Sequence, residues 1–360
     1  MRETLELLLD RKNLSEQQAS ELLVALTDPT LSPAMGGAIL AGLRAKGVTA
    51  DEVRGFAKSM RKLARRPHLP SGTPLVDMVG TGGDGSGSFN LSTGAALLVA
   101  SMGIRVAKHG TSSVSSRSGS ADVIRALGLN LPLDEQAAGG CLAETGFTFL
   151  FAPYYHPAMK AVMPIRQALG VRTVFNILEP LSNPAEPDFH LIGAYHIDIA
   201  ALMAETLAGM PLTRAYVVHG AAGWDEATPI GPFTLFDVTP GNVVRMTRSA
   251  EEFVLPPCSV EELKGGDAAY NADHLRAVLE GREQGAHRNA LILQAALVLE
   301  LLGKAASAQD AAHMAQDAID SGAGRRLLEK LTAFGLKQTQ AAGGASPASG
   351  LNITAVGQGQ

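Results

Sequence analysis

Val79–Thr93 reads VGTGGDGSGSFNLST, and five of the eight residues from Gly80 to Gly87 are glycine. The apolar run PLVDMVG precedes the glycines and STGAALLVASMG follows them, so they fall between a strand candidate and a helix candidate. At such a junction backbone N–H groups can turn toward an anion, and the helix N-terminus adds a favourable dipole. Glycine permits the turn and lets phosphate oxygens approach the chain. Asn90, Ser92 and Thr93 add side-chain donors. No Lys follows in GK[ST] order, so the stretch is not a P-loop, and it is not the dinucleotide fingerprint either.

The pattern around this loop fixes the fold class. Before it, residues 1–70 read as helices only. Ser15 with Gln18 and Thr49 with Glu52 are capping-box pairs, and Ser32–Pro33 opens a helix that stops at Gly47. RPHLPSGTP then breaks helicity. After the loop, IRVAKHG, FTFLFAP, HLIGAY and RAYVVHG are strand candidates separated by SADVIRALG, HPAMKAVMPIRQALG and IDIAALMAETLAG, which read as helices. NVVRMTR is a late strand and ALILQAALVLELLG a buried helix. Strand–helix alternation predicts an α/β domain with a mainly parallel central sheet, behind a small all-helical domain. The tail from 336 to 360, rich in Gly, Ala, Ser and Gln, is expected to be disordered.

Bulk properties narrow the function classes. The chain has 360 residues, 46% hydrophobic and 18% charged, and a net charge of −5. That charge offers no broad nucleic-acid footprint, and the basic run RKLARR reads as one solvated helix face. Two cysteines, Cys141 and Cys258, make neither a disulfide framework nor a thiolate zinc site, so a reducing cytoplasm is the expected location. No apolar run is long enough to span a membrane, and the N-terminus lacks signal-peptide features.

Three further segments could carry chemistry. Lys108 and His109 end a strand, and seven of the ten residues from Thr111 to Ser120 are Ser or Thr. This is a second anion-binding candidate, against the alternative of a solvated linker. Asp225 and Glu226 are adjacent carboxylates after a strand, a usual magnesium environment beside phosphates, though often merely a solvated acidic pair. Arg166, on a helix ten residues after His156, could hold a carboxylate or lie on a helix surface.

Taken together, GTGGD (80–84), NLST (90–93), KHG with VSSRSGSAD (108–122), HPAMKAVMPIR (156–166), RTVFN (172–176), NPA (183–185) and the Asp225–Glu226 pair resemble the anthranilate phosphoribosyltransferase family, in order, from residue 1 to about 335. The resemblance implies a nucleoside-phosphorylase-like fold: a helical domain over 1–70, joined by helices from about 156–185, and an α/β domain over 74–335 that binds 5-phosphoribosyl 1-diphosphate (PRPP). It implies a homodimer formed through the helical domain, Mg2+ as cofactor, and anthranilate as acceptor. PRPP contacts would come from Gly80, Gly83, Asp84, Ser88, Asn90, Leu91, Ser92, Thr93, Lys108, His109, Gly110, Ser113, Ser115, Ser116 and Ser120. Ser92, Asp225 and Glu226 match magnesium positions. Gly80, Thr111 and Arg166 match the anthranilate site.

The chain departs from the family where KHGNR becomes KHGTS, with Thr111 and Ser112, and where FNxLGPLTNPA becomes FNILEPLSNPA, with Glu179 for Gly. A side chain at 179 would be strained if its φ were positive, and its carboxylate would stand near an anionic acceptor. These changes keep open a relative that ribosylates another aromatic amine or acid. A relative that binds nucleic acid without catalysis stays a further alternative, against which the retained carboxylates speak.

Overall fold

The computed structural model describes residues 1–112 and 117–343. Four helices come first: α1 Arg2–Leu9, α2 Glu16–Leu26, α3 Pro33–Lys46 and α4 Ala50–Leu63. Both expected capping boxes form, Ser15 with Gln18 and Thr49 with Glu52, and α3 begins at Pro33 and ends at Gly47. Then follow β1 Val76–Gly80, α5 Leu91–Ser101, β2 Val106–Gly110, α6 Ser120–Ala126, α7 Glu135–Thr145 and β3 Phe147–Phe151. The short α8 Ala152–Tyr155 leads to α9 Met159–Leu169 and α10 Phe175–Leu178, before β4 Phe189–Gly193, α11 Ile197–Ala208 and β5 Arg214–His219. β6 Phe233–Thr239 and β7 Asn242–Arg248 form a hairpin, and α12 Ala268–Leu279, α13 Ala286–Leu301, α14 Ala308–Asp320 and α15 Ala323–Gly343 complete the described chain. None of the described helices is long and apolar enough to cross a membrane.

One seven-stranded sheet has the order β3-β2-β1-β4-β5-β6-β7. Pairs from β3 to β5 are parallel, and β6 and β7 are antiparallel. β6 was not expected. Its sequence FTLFDVT becomes a strand by pairing with β5 on one side and, across Pro240–Gly241, with β7 on the other. The sheet grows one way from β1 through β2 to β3 and the other way from β4 to β5, which makes the β1/β4 boundary a switch point where ligands of open sheets bind.

Two apolar clusters cover the two faces. On one, α5 and α13 pack on Val76, Met78, Val106 and Leu191, and α13 is buried almost throughout. On the other, Val79, Ile192 and Val217 join α11, the N-terminal helices and residues Val162, Ile165, Phe175 and Leu178 of α9 and α10. α9 and α10 therefore pack in one cluster with the first four helices.

The expected start of a disordered tail at 336 falls inside α15, which runs to Gly343. This stretch has little apolar surface, but polar anchors hold it: Asn130 Nδ2 donates to the Gly335 carbonyl at 3.0 Å and to Thr339 Oγ1 at 2.7 Å, and Lys337 pairs with Glu144 at 2.8 Å. The rest of that tail, 344–360, lies outside the described residues.

The helical layer turns on a buried carboxylate. Glu52 is 0% exposed and accepts from Leu14 N, Thr49 N and Lys46 Nζ, each at 2.8 Å. Removing one partner of a buried pair strands the other charge, at about 3–5 kcal/mol. Glu52→Ala should lower unfolding free energy by about that amount, read from chemical denaturation, whereas Glu21→Ala on the exposed face of α2 should stay within about 0.5 kcal/mol.

Candidate active site at the carboxyl edge of the sheet

The glycine loop emerges from β1 at Gly80 and reaches α5 at Leu91, at the carboxyl edge of the parallel strands. Gly82 and Gly83 take φ of +65° and +73°, which lets the chain fold back over the strand end. Gly80 meets a different demand. A Cβ there would stand 2.4 Å from Asp225 Oδ2, and one at Gly193, the neighbouring end of β4, would stand 1.5 Å from the Asp225 carbonyl oxygen. Asp225 is thus seated on the switch point by two strand ends that carry no side chain.

Asp225 is buried at 6% exposure, and Glu226 beside it is half-buried. Asp225 Oδ2 accepts from Gly82 N at 2.6 Å, and Asp225 N donates to Asp84 Oδ2 at 3.3 Å. Glu226 accepts from Ser92 N at 3.2 Å and from Gln294 Nε2 at 2.6 Å. Burial, then the neighbouring Glu226 and Asp84 carboxylates, push Asp225 well above its ordinary range. Burial pushes Glu226 up to about 7, although Gln294, Lys108 and Ser92 pull the other way. Carboxylate oxygens are the kind of donor a hard divalent cation such as Mg2+ takes, and Asp225 and Glu226, with Asp84 bonded to the Asp225 amide, supply them at this edge of the sheet.

Lys108, 1% exposed, answers some of this charge. Its ammonium donates to the Met78 carbonyl and, at 3.3 Å, to Ser92 Oγ. Burial lowers its pKa, while Asp77, Glu226, Glu179 and Asp225 raise it in turn. Asp77, pushed up to about 6 by burial, is held by Asn183 Nδ2 at 2.8 Å and His109 N at 3.3 Å.

The other expected residues divide by what their polar atoms are doing. Asn90 Oδ1 accepts from Asn271 Nδ2 at 2.7 Å, and its own amide reaches the Ser118 carbonyl at 3.4 Å, so it links the two loops. Thr93 is 1% exposed, and its hydroxyl has no partner among the described residues, an orphaned donor at the helix start. Asp84 Oδ1 accepts from Ser86 N and Oγ, bracing the loop, and Ser88 N donates to Ser86 Oγ. Gly83 offers its carbonyl to Arg172. Gly110 abuts Ser120, whose Oγ donates to the Thr111 carbonyl at 3.3 Å. Ser113, Ser115 and Ser116 lie outside the described residues.

Two expected contacts change character. Leu91 lies in the core with its amide donated to the Phe89 carbonyl, so it presents no donor. His109 faces away from the glycine loop: Nδ1 donates to the Glu179 carbonyl at 3.1 Å, and Nε2 meets His156 Nε2 at 3.2 Å. Burial and then His156 hold His109 well below its ordinary pKa, which keeps the pair neutral.

On the acceptor side, Arg166 stacks over Phe175 at 5.5 Å, and its one hydrogen bond goes to Met163 Sδ at 3.7 Å. It has no ion-pair partner among the described residues. Glu179 has φ −55° and ψ −49°, so the strain considered for a side chain at this position does not arise. Its buried carboxyl is raised by desolvation and lowered by Arg166 and Lys108. Ser112 pairs with Arg125 at 3.0 Å.

Gln294, Asn271 and Arg172 were not among the expected site residues. Gln294 carried a signal, as a lone amide within the apolar run ALILQAALVLELLG. Asn271 carried none, because its partner Asn90 is remote in sequence. Arg172 stood in the RTVFN motif without a role; it lies over Tyr195 at 4.0 Å, and its carbonyl accepts from Arg44.

A mostly parallel sheet with two polar loops and an adjacent carboxylate pair at its switch point is an architecture of the class that binds ligands at the carboxyl ends of its strands. A family model described as the a/b domain of a glycosyl transferase family matches residues 72–325, and one for the helical bundle domain of a glycosyl transferase family matches residues 2–64. An anthranilate phosphoribosyltransferase of Desulforudis audaxviator is 43% identical over 335 residues, covering 93% of this chain and 96% of that protein. The anthranilate phosphoribosyltransferase of Thermus thermophilus superposes with a TM-score of 0.86 at 39% identity, covering 92% of this chain and 99% of that one. The Saccharomyces cerevisiae enzyme, in complex with PRPP and Mg, gives 0.85 at 26% identity over 93% and 97%. The chain belongs to the anthranilate phosphoribosyltransferase family of glycosyl transferases.

The raised carboxylates set a pH dependence. Between the ordinary Glu value of 4.5 and about 7, an unfolded chain loses a proton that folded Glu226 retains, so the contribution of Glu226 to metal-free stability should fall as pH rises through that window. The buried His109, His156 and His190, held below their ordinary pKa, act in the opposite direction below about pH 6.5, so the effect is read as the difference between wild type and Glu226→Gln in chelator melts from pH 4.5 to 8. That difference should shift against wild type as pH rises, and Mg2+ should offset it increasingly.

Proposed function

We infer that this chain transfers the 5-phosphoribosyl group of PRPP to the amino group of anthranilate, releasing diphosphate, in tryptophan biosynthesis. The observation that carries this reading is the Asp225–Glu226 pair facing the glycine loop, in a chain 43% identical to an anthranilate phosphoribosyltransferase across nearly all of its length.

Asp225 and Glu226, with Ser92 and the nearby Asp84, would hold Mg2+. When bound, the ion offsets negative charge on the diphosphate. The glycine-loop amides, Asn90, Thr93 and the Ser120 turn position the phosphates. Lys108 acts from beneath, holding Ser92 and supplying positive charge, and the neutral His109–His156 pair supports the Thr111 loop from behind. As the bond from ribose C1 to diphosphate breaks, positive charge builds on the sugar and negative charge on the leaving group. The aromatic amine attacks C1 as a neutral nucleophile and loses its proton afterward, so positioning outweighs general-base catalysis. Arg166 receives the acceptor's carboxylate, with Gly80 and Thr111 on the same side.

Pairing of two chains through the helical layer fits the exposed Leu9 and Val24 and the apolar depression between α3 and α9, lined by Pro33, Gly37, Pro164 and Ile165. Light scattering at micromolar concentration tests it.

Loss of anthranilate fluorescence should require PRPP and Mg2+ together. No turnover of anthranilate with both present overturns the reading. Arg166→Ala should raise KM for anthranilate by about 30-fold or more while leaving KM for PRPP within about threefold, since a charged hydrogen-bonded pair is worth about 2–5 kcal/mol. Glu179→Gly removes a carboxylate whose charge reaches Arg166 and should lower KM for anthranilate by several-fold, with kcat little changed.

A further inference from the structure

The strongest cluster outside the active site joins α12 to α13. His274 lies on α12, Glu283 in the connection, and His287 in the first turn of α13. His274 Nδ1 lies 3.3 Å from Glu283 Oε2, and His287 Nδ1 lies 2.9 Å from Glu283 Oε1. One donor atom from each residue lies within 4.8 Å of the other two. We propose that His274, Glu283 and His287 form a binding site for one divalent transition-metal ion of the zinc and cobalt class.

Two imidazoles and one carboxylate are a ligand set that leaves a fourth, water-filled position on a tetrahedral ion. With metal–nitrogen bonds of about 2.0–2.1 Å, ligand atoms stand about 3.3 Å apart; here each imidazole nitrogen is already that close to one oxygen of the Glu283 carboxylate. Small side-chain rotations close the remaining separation. The rings are held in place, His287 against Phe89 at 4.3 Å between centroids and His274 against Tyr270 at 4.2 Å, so a bound ion orders little that is free. Glu283 has no lysine or arginine partner among the described residues; both its polar contacts are the two imidazoles. His287 has Glu283 as its one hydrogen-bond partner, and its Nε2 is buried without another. The side chains of His274, Glu283 and His287 are 35%, 22% and 9% exposed, which leaves a path for an ion and a water.

Nitrogen donors separate this site from the oxygen-only carboxylates at the sheet edge, which suit Mg2+. The two sites share no residue. They are linked mechanically, since Phe89 precedes Asn90 and α12 also carries Asn271, which holds Asn90.

The test uses the full chain, stripped with chelator and kept in excess Mg2+ so that the acidic pair is satisfied. Titration with Co2+ is followed by visible absorption, and with Zn2+ by calorimetry. One equivalent should bind, with the intense bands of low-coordinate cobalt, and Zn2+ should displace it. His274→Gln and His287→Gln should each weaken binding about 100-fold or more, because loss of a ligand exceeds the 10–100-fold cost of losing a ligand's support. Weak bands typical of hydrated cobalt, or strong bands unchanged in both variants, overturn the proposal. Should a variant not fold, the decision rests on the wild-type cobalt spectrum and its displacement by one equivalent of Zn2+.

Discussion

Two carboxylates held out of water beside each other are the constraint on which the site depends. Asp225 and Glu226 would favour protonation in that environment, and a third acid, Asp84, adds to the pressure. The fold accepts this cost by arranging donors around them in advance: Gly82 and Ser92 amides, the Gln294 side chain and the positive charge of Lys108. Such an arrangement is what the proposed Mg2+ site would require. In the proposed reaction the preorganised donors would have little reorganising left to do when charge develops on the leaving group.

Seating that pair explains the strand ends. Gly80 and Gly193 sit on either side of the switch point, and a methyl group on either would occupy the space of Asp225. The glycines of the loop answer two separate requirements. Gly82 and Gly83 supply a backbone conformation, and Gly80 supplies absence of volume. The acceptor side is made differently, from side chains on α9 and α10 that belong to the same apolar cluster as the N-terminal helices.

Much of this was legible in the sequence because it is local. Capping boxes at Ser15 and Thr49, the stop at Gly47 and the strand–glycine–helix order need only neighbours a few residues apart. β6 was not legible, since FTLFDVT gains its identity from pairing on both edges. Lys108 and Asp225 could be marked as site residues from their motifs, but not the direction of their polar atoms. His109 was marked for the same reason, and the fold turns it toward His156 and the Glu179 carbonyl, which lie 47 and 70 residues away. Asn271 had no local mark at all, for its meaning rests on one amide contact across the fold.

Arg172 gives the architecture a lever. Its carbonyl is gripped by Arg44 of α3, its guanidinium lies on Tyr195 just past β4, and it donates to the carbonyl of Gly83. A tilt of the helical layer against the sheet would therefore pull on the glycine loop through a single side chain.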